Sequence, residues 1–406
     1  MSDRAGAVGS AATTARRGVV HGVSLGTEIH RVFLGAVVAM GCGGVSDRPP
    51  ILGLVDAGED AAVVSEVDAG VVPALVPGGT CALPVSLPLR LSLQPASAPV
   101  TLVDALPHAN EVAVDATSVY WTDYLGGSIH RADRDGGHPT VLASSEPLAE
   151  GLSIDQGVLY WMMGDFDHAA LRSMPAAGGT PVTLGRARRA HPTELLHHRI
   201  TFDEANVYWA DIGDETFMNG SIYRVPKVGG TPVALVSGLH APTSIASDRC
   251  NLYWITLGED AAPGDSIRYV GEVSAMPLAG GPVQVLARSQ INALDIAVDG
   301  SWVYWSVRGP GPQTGTIQRL AKAGGAPQQL ARNLFLPPHL ALDDRFLYTL
   351  DEGVLAIAIA GRQTRELVSL PFLGGGNGLT VDASGAFFTH QMRGGVSAVS
   401  FLPLSP

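Results

Sequence analysis

The chain has 406 residues, enough for one large or two ordinary domains, and is 46% apolar and 16% charged, which excludes global disorder. Its net charge of −12 excludes non-specific nucleic-acid binding, which needs a basic surface. The 49 glycines and 28 prolines indicate many turns, as in chains built of many short strands.

In chain order the first feature is VFLGAVVAM at 32–40, a nine-residue apolar run after Arg31. A bilayer-spanning helix needs about 20 residues, so this run suits the apolar centre of a secretory signal instead. Ala39-Met40-Gly41-Cys42 follows at once. Small residues directly before a cysteine resemble the bacterial lipobox, which implies that Cys42 is acylated and becomes the mature N-terminus. A plain signal peptide or a chance apolar run are the alternatives. Thirty-one residues precede the run, long for a signal's charged region, so the true start lies downstream or Arg16-Arg17 belongs to a longer export signal. The expected organisation is an export signal with a lipobox-like end over 1–42, a flexible Gly/Ala/Val/Asp/Pro tether over 43–79, and one folded domain over 80–406. The expected location is the bacterial cell envelope, periplasmic or surface-exposed, with membrane contact only through the N-terminal lipid.

The domain is a repeat. An Asp followed five residues later by Tyr or Phe occurs seven times, at Asp115/Tyr120, Asp155/Tyr160, Asp203/Tyr208, Asp248/Tyr253, Asp299/Tyr304, Asp343/Tyr348 and Asp382/Phe387. The intervals between these Asps are 40, 48, 45, 51, 44 and 39 residues. Each unit divides into four short runs: an alternating run before the Asp, the aromatic run, a run opening with Gly (Gly127-Ser-Ile129, Gly220-Ser-Ile222), and a run after a Gly-Gly turn (Pro181-Val-Thr-Leu184, Pro232-Val-Ala-Leu235). Short β-branched and aromatic runs bounded by Gly and Pro read as strands, and Pro suits the start of an edge strand. Four strands in about 45 residues make one blade of a β-propeller.

Two residues before each Asp stand Ala113, Ser153, Thr201, Ala246, Ala297, Ala341 and Thr380, all small, as strands crowded around a narrow axis require. The seventh unit has three strands, whereas an orphan fourth strand, Ala98-Pro-Val-Thr-Leu102, precedes the first unit. The expected fold is therefore all-β: a seven-bladed propeller of four-stranded antiparallel blades, the N-terminal strand completing the last blade and removing free edges. The recurrent Asp is read as a cap for the turn after the inner strand rather than a catalytic or metal-binding residue.

Tyr120-Trp-Thr-Asp123 and Tyr208-Trp-Ala-Asp211 resemble the YWTD propellers of lipoprotein-receptor ectodomains, the low-density lipoprotein receptor class B repeats. Tyr253-Trp-Ile-Thr256 and Tyr304-Trp-Ser-Val307 match in part, Tyr348-Thr349 and Phe387-Phe388 less, and the resemblance covers roughly 99–401. That family has six blades, so the resemblance implies the fold and a habit of binding partners, but no ligand. Seven-bladed bacterial propellers of similar blades include small-molecule lyases.

Loops entering the inner strands and loops between second and third strands share one face of a propeller, where function gathers. The second-to-third loops are long in blades 3 to 5. The blade-4 insert TLGEDAAPGDSIRYVG offers Glu259, Asp260 and Tyr269 as ligand-binding candidates. A ring of polar positions just before the inner strands adds Asn110, Arg199, Asp295 and Asn377. A solvated funnel and a tolerated surface insertion are the plain alternatives. The blade-3 entry RARRAHPTELLHHR (186–199) is basic in an acidic chain. His191, Glu194, His197 and His198 could contribute metal ligands only if the segment makes a helical turn, and anion contact through Arg186, Arg188 and Arg189 or a solvated loop fit as well. No phosphate loop, CxxC pair or dinucleotide fingerprint is present, and Gly22-Val-Ser-Leu-Gly26 lacks the strand–helix context of a nucleophile elbow. Cys81 and Cys250 are either a disulfide beneath the ring or two buried thiols.

The sequence supports an exported binding module for an envelope or extracellular protein or glycan, with no cofactor, no nucleic-acid partner and a monomeric state expected. The alternative is a propeller lyase or hydrolase with His198, His339 and Glu111 as acid–base groups.

Overall fold

The computed structural model describes residues 95, 97–164, 168–188, 199–213, 218–260, 269–311, 313–335, 337–360, 364–369, 378–392 and 395–404. The expected export signal and tether, with Cys42, lie outside the described residues, as does Cys81.

Every regular element among the described residues is a strand, and the strands form seven antiparallel sheets. The innermost strands are Ala109–Val114, Glu150–Asp155, Ile200–Phe202, Pro242–Ser247, Ala293–Val298, Leu340–Leu342 and Leu379–Asp382. Each touches the next, and the seventh touches the first, so the seven blades close into a ring. Six sheets are built from consecutive strands. The seventh takes Leu379–Asp382, Gly385–Gln391 and Ser397–Pro403 from the C-terminus and its outermost strand, Val100–Leu106, from the N-terminus. The closing strand predicted from Ala98–Leu102 is thus present and runs on to Leu106. Pro95 bridges Leu404 just ahead of it.

The Tyr–Trp pair explains how the ring is filled. Successive side chains of a strand point to opposite faces of its sheet. Tyr120 therefore joins the apolar cluster between blades 1 and 2, whereas Trp121 joins the cluster between blades 7 and 1. The same division holds for Tyr160 and Trp161, Tyr208 and Trp209, and Tyr253 and Trp254. Each of the seven interfaces has its own buried cluster. Blade 6 keeps the pattern with Tyr348 facing blade 7, and blade 7 with Phe387 facing blade 1.

The third letter of the YWTD motif has its own role. The inner strands of blades 1, 2, 4 and 5 carry a bulge near their start, where an extra residue leaves the ladder. Side-chain hydroxyls from the second strand take up backbone donors there. Glu111 N–H donates to Thr122 Oγ1 (3.1 Å) and Asp295 N–H to Ser306 Oγ (3.1 Å). In blade 7 the Gly378 N–H donates to Thr389 Oγ1 (2.9 Å), which itself donates to the Asn110 carbonyl of blade 1 (2.5 Å). Gly378 has no alternative at this seam. A Cβ there would stand 2.6 Å from Val112 N and 2.7 Å from Asn110 O.

Thr389→Val keeps the shape of the side chain but leaves a buried donor and a buried acceptor at the closing seam without this partner. The expected loss is about 1–3 kcal/mol per orphaned group, read as a lower urea midpoint with unchanged slope.

Candidate functional site

The two ends of the ring differ in chemistry. The bottom end carries the turns after the inner strands, and here the repeated Asp does what its position suggested. Asp115 Oδ1 accepts the N–H groups of Thr117 (2.7 Å) and Ser118 (2.8 Å). Asp203, Asp248, Asp299 and Asp343 each accept the corresponding two N–H groups. The other carboxylate oxygen accepts the hydroxyl of the Tyr five residues on: Tyr120 (2.7 Å), Tyr208 (2.5 Å), Tyr253 (2.6 Å), Tyr304 (2.6 Å) and Tyr348 (2.7 Å). Burial, then the bond to the carboxylate, raises the Tyr120 hydroxyl to about 12, and the four equivalent hydroxyls rise for the same reasons. These carboxylates are fully engaged in structure.

Cations reinforce three interfaces at the same end. Lys227 of blade 3 meets Asp155 of blade 2 (2.6 Å), Lys322 of blade 5 meets Asp248 of blade 4 (2.7 Å), and Arg134 of blade 1 meets Asp382 of blade 7 (2.6 Å). Blade 7 has Phe387 where the others have Tyr, and Arg134 lies over that ring at 4.6 Å from its centroid, so one guanidinium covers the ring and takes the carboxylate the missing hydroxyl would have met.

The top end carries the predicted polar ring. Four residues before their Asps stand Glu111, Arg199, Asp295 and His339, and the structure brings three of them together across the axis. Arg199 Nη2 of blade 3 pairs with Asp295 Oδ2 of blade 5 (2.6 Å) and donates to the Leu340 carbonyl of blade 6 (2.9 Å). It also approaches His339 Nδ1 at 3.5 Å. The Asp295 side chain is 0% exposed and that of Arg199 30%. Asp295 Oδ1 accepts Ser244 Oγ–H (2.6 Å) and Ile296 N–H (2.9 Å), and Oδ2 also accepts Leu340 N–H (2.8 Å). Four blades thus converge on one carboxylate, and the Arg199 side chain bridges the channel mouth. Arg199 Nε, and the Oγ1 of Thr243 next to Ser244 in the chain, are buried without a hydrogen bond.

Among the remaining candidates, Asn110 is buried in the blade-1 bulge and Glu111 is half-buried. His339 is only 1% exposed. The blade-4 insert, predicted as loop, begins as ladder: Glu259–Asp260 pairs with Tyr269–Val270, which lengthens the third strand to Tyr269–Pro277. Glu259 is exposed and 3.5 Å from His240 Nδ1. Tyr269 is half-buried, and its backbone N–H and carbonyl are both held by Asn292. His191, Glu194, His197, His198 and Asn377 lie outside the described residues, and of Asp260 only the backbone is described. Among the described residues, no group of three or more His, Cys, Asp or Glu could hold a metal ion, and no helix is long and apolar enough to cross a membrane.

Sequence reading missed the buried Glu146. It accepts the indole N–H of Trp161 (3.0 Å) and pairs with Arg172 (3.0 Å). Gln290 takes the indole N–H of Trp305 (2.8 Å) in the same way. Both acceptors stand nine residues before a repeat Asp, a register that aligned repeats display.

No family profile matches this sequence. Several solved structures align with this chain. A streptogramin B lyase aligns with TM-score 0.53 and 12% identity over 76% of this chain and 97% of that one. The CNH domain of AfRom2 aligns with TM-score 0.51 and 10% identity over 76% and 100%. A chain of the nidogen/laminin complex aligns with TM-score 0.44 and 19% identity over 60% and 90%. At these identities the streptogramin B lyase and CNH-domain alignments show a shared fold and nothing more.

Two outcomes are expected. Arg199→Met leaves the Asp295 charge buried and should cost stability toward the lower end of the roughly 3–5 kcal/mol typical of a broken buried pair, since Arg199 is partly exposed; urea unfolding reads it. Asp248 is held below the ordinary carboxylate value: burial raises it, but Lys322, Tyr253 and the turn N–H groups together outweigh burial. A depressed folded value contributes stability that is fully present above the unfolded value of about 4 and is lost as pH falls through the folded one. Lys322→Met should therefore move the midpoint of acid unfolding to higher pH, with little change in its shape.

Proposed function

We propose that this protein is an exported, lipid-anchored binding module of the bacterial cell envelope. In this reading it recognises a protein or glycan through the top-face loops of blades 3 to 5. One observation carries the choice of binding over chemistry at the mouth. Asp295, the most buried of the mouth's carboxylates, already accepts four donors. An acid or base must exchange a proton with substrate, and a carboxylate so enclosed lacks access to one. The rim offers more. The blade-4 extension carries exposed Glu259 opposite Val270, and Tyr269 opposite Asp260, on a ladder anchored by Asn292, so a recognition loop there stands on a rigid base. The lipobox-like Ala39–Cys42 and the disulfide at Cys250 suit an oxidising exterior.

The test is capture from envelope extract by the full chain, against a variant in which only 261–268 is replaced by a short Gly-Ser turn so that the ladder is kept. A partner retained by the native chain and lost by the variant, then reproduced with purified partner, is the expected result. Equal capture by both chains, or none, would remove this face as the interface and return attention to the lyase or hydrolase alternative.

A further inference from the structure

The residue just after the third strand holds an equivalent place in all seven blades: its N–H donates to the carbonyl two residues after the blade's own turn Asp. In blades 1, 3 and 5 it is Arg134, Lys227 or Lys322, and each reaches back to the turn Asp of the preceding blade. In the other blades it is Ala176, Leu278, Ile359 or Leu404. Three residues earlier, blades 1, 3 and 5 carry Arg131, Arg224 and Arg319 opposite the motif Tyr, where blades 2, 4 and 6 carry Ser173, Ala275 and Ala356. Two of these arginines reach forward: Arg131 Nη1 approaches the Ala176 carbonyl of blade 2 (3.4 Å), and Arg319 Nη1 donates to the Ile359 carbonyl of blade 6 (2.5 Å). Cationic blades thus alternate with apolar ones, and because seven is odd the alternation breaks once. Blades 6 and 7 are apolar blades in succession. At their seam both registers are filled by hydrocarbon, Ala356 from blade 6 and Leu404 from blade 7, in one buried cluster with Tyr348 and Phe388.

Each of these two blades is pinned on its far side. Leu340 of blade 6 donates its N–H to Asp295 of blade 5 (2.8 Å), and its carbonyl accepts from Arg199 of blade 3 (2.9 Å). Blade 7 is tied to blade 1 by Arg134, which donates to Asp382 (2.6 Å) and Ser384 Oγ (2.7 Å), and by Thr389, which donates to the Asn110 carbonyl. The closing strand Val100–Leu106 also runs on into blade 1. The turn carboxylates register the contrast. Burial raises Asp248, but Lys322 and Tyr253 hold it below the ordinary value, whereas burial holds Asp343 of blade 6 above it. We propose that the mobile seam of the ring is the one between blades 6 and 7, and not the one between blades 7 and 1 beside the closing strand. Apolar packing resists separation but has no preferred direction, so this interface can slide or part while directional bonds fix the registers elsewhere. Blade 7 then moves with blade 1, and blade 6 stays with blade 5 and the mouth.

Ala356→Cys and Ala275→Cys place a thiol at the same register of two seams, each buried beside its blade's Tyr, the second seam being crossed by Lys322. In the folded full chain a maleimide should label the Ala356→Cys protein at least roughly tenfold faster than the Ala275→Cys protein, the modified peptide being identified by mass. Adding Lys322→Met to Ala275→Cys should remove most of that difference. Equal rates, faster labelling of Ala275→Cys, or indifference to Lys322→Met would each overturn the proposal. Should the cysteine variants fail to fold, amide exchange of the wild-type chain decides. Leu340–Leu342 and Leu379–Asp382 should exchange faster than Pro242–Ser247 and Ala293–Val298, and equal or reversed protection would count against the seam.

Discussion

The structure depends on a steric fact about strands: neighbouring side chains face opposite sides of the sheet. Placing Tyr next to Trp in the second strand of blades 1 to 5 puts one large ring into each flanking interface, so each of these blades fills half of two interfaces and completes neither. Trp121, Trp161, Trp209, Trp254 and Trp305 are all fully buried against a neighbouring blade. A lone blade would expose these rings on both faces, so stability is a property of neighbours and finally of the closed ring. The Tyr hydroxyl adds a constraint along the strand. Bonded to the turn Asp, it fixes how deep each ring sits, and the Asp meanwhile fixes the turn. One carboxylate thereby couples turn geometry to interface packing.

The ends of the ring inherit different degrees of symmetry from this arrangement. At the bottom the Asp–Tyr pair recurs, and where it is incomplete a cation from the adjacent blade substitutes, as Arg134 does over Phe387. At the top the register position four before each Asp holds Glu111, Gly151, Arg199, Ser244, Asp295, His339 and Gly378, with no two alike except the glycines. The pairing of Arg199 with Asp295 is not between adjacent blades, and Ser244, from the blade between them, binds the same carboxylate. A buried ion pair of this kind is weak evidence of net stability, because desolvation offsets much of the attraction. Its geometric effect is clearer: it draws blades 3 to 6 toward one point and occupies the mouth with protein groups.

This difference also sets what could be read from the sequence. The Asp and the aromatic five residues on are local partners, so their spacing survives in every unit and exposes the blade count. The small residues at Ala113, Ala246, Ala297 and Ala341 reported the crowded axis for the same reason, and the closing strand followed from counting strands. The Arg199–Asp295 pair was out of reach as a pair. Its members are far apart in the chain and meet only because the ring brings three successive inner strands around the axis. The hydroxyl at Thr122, Ser306 and Thr389 was visible as a motif letter, but its purpose depends on a bulge in a different strand. The ladder at Glu259–Asp260 was hidden because two residues are too few to show a period.

Chain polarity relates these ends to the N-terminus. Connections between blades run along the top, so every outermost strand must ascend from bottom to top before the next inner strand descends. The closing strand obeys this: Val100 begins it near the bottom, and Leu106 delivers the chain to Ala109 at the start of the first inner strand. Whatever precedes Val100 must therefore leave from the bottom, as the Pro95–Leu404 bridge indicates. In a propeller closed in this way, the entry to the closing strand and the inter-blade loops fall on opposite ends of the axis. At the symmetric end the carboxylates are taken up by turns, hydroxyls and cations. The irregular end, with its long loops in blades 3 to 5, lies at the other end of the axis from the N-terminal entry.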